Sequence, residues 1–185
     1  MIDTICALVD WKCNLKCSYC CNEIPRFRNQ IKPIAFADID WKKYPNVCIS
    51  GGEPLLFPER VKRICVAALD AYKILYTNGV FLTEGMADDL SRWGIAAVNV
   101  GLHVEKSFDV LIKRICYNVR YQNFNTRFHV RNIYRPLVYK WEAQGINFRY
   151  WKMGDCDRPN EDRVIITDRN KLEGTECPLP LLTQV

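Results

Sequence analysis

The chain has 185 residues, 49% of them hydrophobic and 25% charged, enough for one domain whose core needs no disulfide staples. No apolar run is long enough to cross a membrane, and Met1-Ile2-Asp3-Thr4 lacks the basic and apolar regions expected of an export signal. The net charge of +5 is mild and Lys and Arg are spread along the chain, so an anionic small molecule is permitted while nucleic acid is not indicated.

Hydrophobic runs alternate with helical patterns. Thr4 to Asp10 reads as a buried strand, followed by a cysteine-rich loop and a polar connection from Asn22 to Lys32. A short helical stretch is expected near Phe36 to Lys43, then a second strand from Asn46 to Ser50. Val61, Ile64, Cys65, Ala68 and Leu69 fall at helical spacing within Pro58 to Tyr72, with Pro58-Glu59 as a first turn. Lys73 to Tyr76 is a third strand. Thr83 caps a helix that runs to about Trp93 and stops at Gly94. Ile95 to His103 is a fourth strand, and Ser107 caps a helix to Tyr121. Asn125 to Asn132 is a fifth strand, Pro136 to Gln144 a helix, and Ile146 to Trp151 a sixth strand. Strands separated by helices of this length predict right-handed β-α-β units and a parallel sheet. Residues 1–153 form this core, and residues 154–185 read as an irregular tail covering the barrel or the substrate side.

Cys13, Cys17 and Cys20 stand four and three residues apart in Cys-Asn-Leu-Lys-Cys-Ser-Tyr-Cys. Three thiolates in one loop suit three corners of a cubane iron–sulfur cluster and leave the fourth iron open. Zinc, with Cys21 or a distant histidine as fourth ligand, is the competing reading. Ten cysteines in a reducing cytoplasm would be thiols or metal ligands.

CxxxCxxC with an aromatic before the last cysteine, Tyr19, resembles the cluster loop of the radical S-adenosylmethionine (SAM) superfamily. Ile49-Ser50-Gly51-Gly52-Glu53-Pro54 resembles that superfamily's GGEP motif, and Leu75-Tyr76-Thr77-Asn78-Gly79 its strand-end Thr-Asn-Gly. The resemblance implies a partial (β/α)6 TIM-like barrel, an α/β fold of parallel strands, with all three motifs at the C-terminal strand ends where such barrels bind ligands. It further implies a [4Fe-4S] cluster on Cys13, Cys17 and Cys20 and SAM chelated to the open iron. Reductive cleavage of SAM would then give a 5′-deoxyadenosyl radical that abstracts hydrogen from a small substrate.

For SAM the resemblance points to Tyr19 near the adenine, to Gly51 and Gly52 for close backbone approach, and to Glu53 for the turn and the SAM ammonium. Asn78 is a candidate contact near the adenosyl group or an adjacent backbone. His103 is a candidate for SAM or substrate at the end of strand four, beside Glu105. His129 and Arg131 are expected on one face of strand five, with Phe128 and Val130 on the other. Arg131 is a candidate for the SAM carboxylate or a substrate anion. Arg149 and Lys152 lie on or after strand six.

Cys6, Cys48, Cys65 and Cys116 read as inert buried thiols, whereas Cys156 and Cys177 in the tail are candidates for an auxiliary cluster. The substrate is expected to be a nucleotide, sugar or amino-acid derivative, with a low-potential electron donor such as flavodoxin or ferredoxin. A glycyl-radical activase, a peptide-modifying enzyme, and a noncatalytic iron–sulfur or zinc module are the alternatives. Asn99-Val100-Gly101-Leu102-His103 lacks the Asp-x-Lys of the activases.

Overall fold

In the computed structural model, which describes residues 3–152 and 161–167, all eight strands are parallel in one sheet. They are β1 (Thr4–Leu8), β2 (Lys32–Ala35), β3 (Asn46–Ser50), β4 (Tyr72–Thr77), β5 (Ile95–Leu102), β6 (Asn125–Arg131), β7 (Phe148–Trp151) and β8 (Glu161–Thr167). Their spatial order is β2-β8-β1-β3-β4-β5-β6-β7. The helices are α1 (Pro25–Arg28), α2 (Pro58–Ala67), α3 (Glu84–Arg92), α4 (Phe108–Asn118) and α5 (Arg135–Glu142). The six strands anticipated from hydrophobic runs are β1 and β3 to β7, neighbours in chain order as a β/α barrel requires. The architecture is consistent with a partial TIM-like barrel.

Two strands lie where the sequence predicts none. β2 falls at the end of the polar connection and contains Pro33; a proline fits there because β2 is an edge strand and need not donate on its outer side. β8 arises from the segment read as an irregular tail and inserts between β2 and β1, with Thr4 opposite Glu161 and Leu8 opposite Ile165. Its Val164 and Ile166 are buried. The expected helical stretch at Phe36 to Lys43 consists of two 3₁₀ turns, Phe36–Asp38 and Trp41–Lys43. Cys156 and Cys177 lie outside the described residues. Among those residues no helix is long and apolar enough to cross a membrane.

The period of two along each strand divides the sheet into two chemical faces. Ile5, Ala7, Val47, Ile49, Leu75, Val98, Val100, Phe128 and Val130 are almost fully buried and form the core with Val61, Ile64, Leu90, Ile112 and Ile115 of the helices. The intervening positions turn the other way and are largely polar.

Thr83 caps α3 as predicted, its Oγ1 accepting from the Met86 N–H at 3.2 Å. Ser107 does not cap α4; its Oγ donates to the Val104 carbonyl at 2.8 Å, because a 3₁₀ turn at Glu105–Ser107 precedes the helix. α2 stops earlier than its apolar spacing predicts. Lys73, 3% exposed, reaches back to donate to the carbonyls of Ala68, Leu69 and Ala71 at 3.0, 3.0 and 3.2 Å. This ammonium satisfies carbonyls that a helix end leaves without partners. Lys73→Met, which keeps the aliphatic stem, is expected to lower stability by about 1–3 kcal/mol. Urea unfolding should show a reduced midpoint with an unchanged slope.

Candidate cluster and cofactor site

The C-terminal ends of β1, β3, β4 and β5 meet around a cavity of about 340 Å³. Its rim carries Cys13, Cys17, Tyr19, Cys20, Gly51, Gly52, Asn78 and His103, and its wall carries Cys6, Cys48, Tyr76, Asn99, His129, Arg149, Trp151, Glu161 and Arg163. Three motifs separated by as many as 65 residues in sequence thus border one space.

The base of the cysteine loop is locked to the glycine turn. Gly52 N–H donates to Asp10 O and Glu53 N–H to Lys12 O, each at 2.8 Å. The Asn22 amide donates to Gly51 O at 2.7 Å from the loop's far side. Arg60 of α2 donates to Val9 O at 3.0 Å and pairs with the Asp10 carboxylate at 2.9 Å, and that carboxylate also accepts from the Lys12 N–H. The approach leaves no room for side chains. A Cβ on Gly52 would lie 2.0 Å from the Lys12 carbonyl oxygen, and Gly51 has φ +139° with a Cβ position 2.5 Å from Asp10 O. Gly52→Ala is therefore expected to push the cysteine loop outward, and iron bound per chain after anaerobic reconstitution should fall well below wild type even where the protein remains folded.

Glu53, 1% exposed, ties the glycine turn to the end of β4. Its Oε1 accepts from Leu55 N–H at 3.0 Å and from the Thr77 hydroxyl at 2.7 Å, and its Oε2 accepts from Asn78 N–H at 2.7 Å. Burial pushes its carboxyl pKa up, against the opposing pull of those three donors. These bonds account for the expected orienting role of Glu53; its carboxylate points into the turn. Asn78 continues the chain of contacts: its amide donates to Asn14 Oδ1 at 2.7 Å and approaches Cys13 Sγ at 3.9 Å.

Tyr19 and His103 are joined. The Tyr19 hydroxyl donates to His103 O at 3.1 Å and lies 3.3 Å from Nδ1, and the Tyr19 ring also stands 5.8 Å from Trp151. Arg131 stacks over Tyr19 with its guanidinium carbon 4.5 Å from the ring centroid. Burial lowers the His103 pKa and raises that of Tyr19 to about 12, so both are neutral at neutral pH. Gly101 makes room for this histidine, since a Cβ there would lie 2.3 Å from His103 Nε2. The expected faces of β6 are as drawn: Phe128 and Val130 are buried in the core, while His129 lines the cavity.

Thiolate donors are of the kind that iron–sulfur clusters take. Among the described residues no three His, Cys, Asp or Glu side chains converge where one metal could sit. A cubane asks each thiolate for a different iron, so its donors border a space without meeting at a point. Burial first, and then the charges of their neighbours, push the Cys13 and Cys17 thiols up; Cys20 is a contributing neighbour to both. Metal cations reverse that repulsion.

Sequence reasoning did not single out Asn22, Asn99, Glu161 or Arg163, nor the Asp10–Arg60 pair. Arg163 and Glu161 had no detectable signal, because only the insertion of β8 brings them to the cavity. Asn99 was detectable by strand alternation, two residues before Gly101 on the same face.

A model of the radical SAM superfamily matches residues 12–125, and the chain belongs to that superfamily. Within it, the chain is similar to GTP 3′,8-cyclase of Helicobacter pylori, 33% identical over 124 residues covering 60% of this chain and 38% of that protein. It is likewise similar to GTP 3′,8-cyclase of Clostridium acetobutylicum, 31% identical over 117 residues (57% and 36% of the two chains). A probable GTP 3′,8-cyclase of Methanococcus vannielii is 37% identical over 100 residues, covering 49% of this chain and 33% of its own length. The matched region spans between 33% and 38% of the length of these relatives.

Proposed function

We propose that this protein is a radical SAM enzyme that takes a nucleotide or closely related small anion as substrate. The observation that carries the reading is the meeting of the three thiols, the glycine turn and Asn78 around one cavity. Cys13, Cys17 and Cys20 would hold a [4Fe-4S] cluster, and the backbone at Gly51 and Gly52, with Tyr19, Asn78, His103 and Arg131, would surround SAM. When bound, cluster and SAM supply a 5′-deoxyadenosyl radical that removes hydrogen from the substrate; the protein supplies distance, orientation and dryness.

The cavity's own charge supports an anionic substrate. Arg149 and Arg163 line it against one carboxylate, Glu161, among the described residues. Guanidinium groups match phosphate oxygens in pairs. The names of the similar cyclases support a guanine nucleotide as the first compound to try. Glu161 and Arg163 stand on β8, which pairs with β1 inside the sheet, so the segment following residue 153 joins the core and supplies part of the cavity wall. A cytoplasmic setting, and a low-potential flavodoxin or ferredoxin as electron donor, complete the proposal.

Anaerobic reconstitution followed by SAM and dithionite tests the chemistry. The expected result is a brown protein that releases 5′-deoxyadenosine. A protein that binds iron or zinc and never turns SAM over is the noncatalytic module instead. For the substrate, uniformly deuterated GTP should transfer deuterium to 5′-deoxyadenosine. Cleavage of SAM without label transfer from GTP or other nucleotides would remove the nucleotide assignment and leave the superfamily chemistry standing.

A further inference from the structure

The sequence reads Cys6 and Cys48 as inert strand cysteines, whereas the sheet makes them neighbours on the cavity floor. They are partners in the β1–β3 ladder, and both line the cavity. Cys48 is buried and Cys6 half-buried. Adjacent strands run about 4.8 Å apart, inside the span of roughly 4.4–6.8 Å between α-carbons that a disulfide bridges. On its other side Cys6 is the register partner of Arg163, which lines the same cavity. Arg163 is in turn paired with Glu161 at 3.8 Å.

We propose that Cys6 and Cys48 form a second thiol site, separate from the cluster triad, that reacts with hydrogen peroxide and closes to a reversible disulfide. The more accessible Cys6 sulfur attacks the peroxide, the O–O bond breaks, and Cys6 becomes a sulfenic acid with release of water. Cys48 sulfur then attacks the Cys6 sulfur; the S–S bond forms, the S–O bond breaks, and a second water leaves. Two thiols are oxidised and one peroxide is reduced to two waters, with no other reactant. Side chains on parallel neighbours run side by side rather than converging, so the bond is strained and readily reduced. It links the strands whose ends carry the cysteine triad and the glycine turn, and it removes two thiols from the cavity surface.

Peptide mapping resolves this site from the triad. Trypsin leaves Cys6 in residues 1–12 and Cys48 in residues 44–60, while Cys13 falls in 13–16 and Cys17 and Cys20 in 17–26. Cluster-loaded protein is treated with equimolar hydrogen peroxide, alkylated with iodoacetamide, digested and analysed by mass spectrometry. The expected product is peptide 1–12 joined to peptide 44–60, with loss of alkylation at both cysteines and recovery by dithiothreitol. Cys48→Ser should abolish the joined peptide and leave a dimedone-reactive Cys6. Cys6 and Cys48 both alkylated after oxidation, or Cys6 joined to a triad peptide instead, would overturn the proposal. The readout does not depend on SAM cleavage, so its failure is distinct from failure of the proposed enzymatic reaction.

Discussion

Replacing Cys17 with alanine is expected to reduce iron incorporation and 5′-deoxyadenosine release to background. Losing an outer partner of a metal ligand typically costs ~10–100-fold in affinity or activity, and loss of a ligand itself exceeds that. Cys17 lies between the other two triad members in sequence and borders the cavity. Iron analysis and the visible absorption of the reconstituted protein check the first half, and SAM cleavage with dithionite the second. Near-normal iron and turnover in Cys17→Ala would remove Cys17 from the site. Full iron with no turnover would instead assign Cys17 a part in activity other than holding the cluster.

The second large effect is at Glu53. Glu53→Ala leaves Leu55 N–H, Thr77 Oγ1 and Asn78 N–H without the acceptor they share, and it opens a void at a fully buried position. An unsatisfied buried donor costs about 1–3 kcal/mol, so a loss of several kcal/mol is expected. That corresponds to roughly 2–4 °C of Tm for each kcal/mol in a chain of this size. Glu53→Gln preserves volume but turns an amide N–H₂ toward groups that are themselves donors, and should fall between wild type and Glu53→Ala.

The pH dependence follows from the raised carboxyl pKa. Between the ordinary value of 4.5 and the raised one, the folded protein holds a proton that the unfolded chain has released. Stability therefore declines as pH rises through that window, and the Glu53 contribution to this decline should vanish in Glu53→Gln. Thermal unfolding of wild type and both variants across mildly acidic pH measures the difference. An unchanged Tm in Glu53→Ala would show that the turn is held without the carboxylate.

The same residues illustrate how much could be read in advance. Gly51-Gly52-Glu53 was legible as a motif, and the close approach expected of its glycines is present. Yet the partner in that approach is the protein's own backbone at Asp10 and Lys12. Tyr19 and His103 were each legible as candidates, while their mutual bond was not, since 84 residues separate them. Phe128 and Val130 were assigned correctly to the core because strand alternation is a local property. β8 was not recognised: its Val-Ile-Ile run is short and follows charged residues, and its place between β2 and β1 depends on pairing across more than 150 residues.

The sequence by itself determined the alternation of strands and helices, the cysteine triad and its superfamily, because periodicity and ligand spacing are written over a few residues at a time. The tertiary structure alone decided which polar groups share the cavity: Glu161 and Arg163 from β8, Cys6 beside Cys48, and Tyr19 against His103. Those neighbours are chosen by backbone pairing between distant strands, where hydrogen-bond register sets the contact and no local pattern records it.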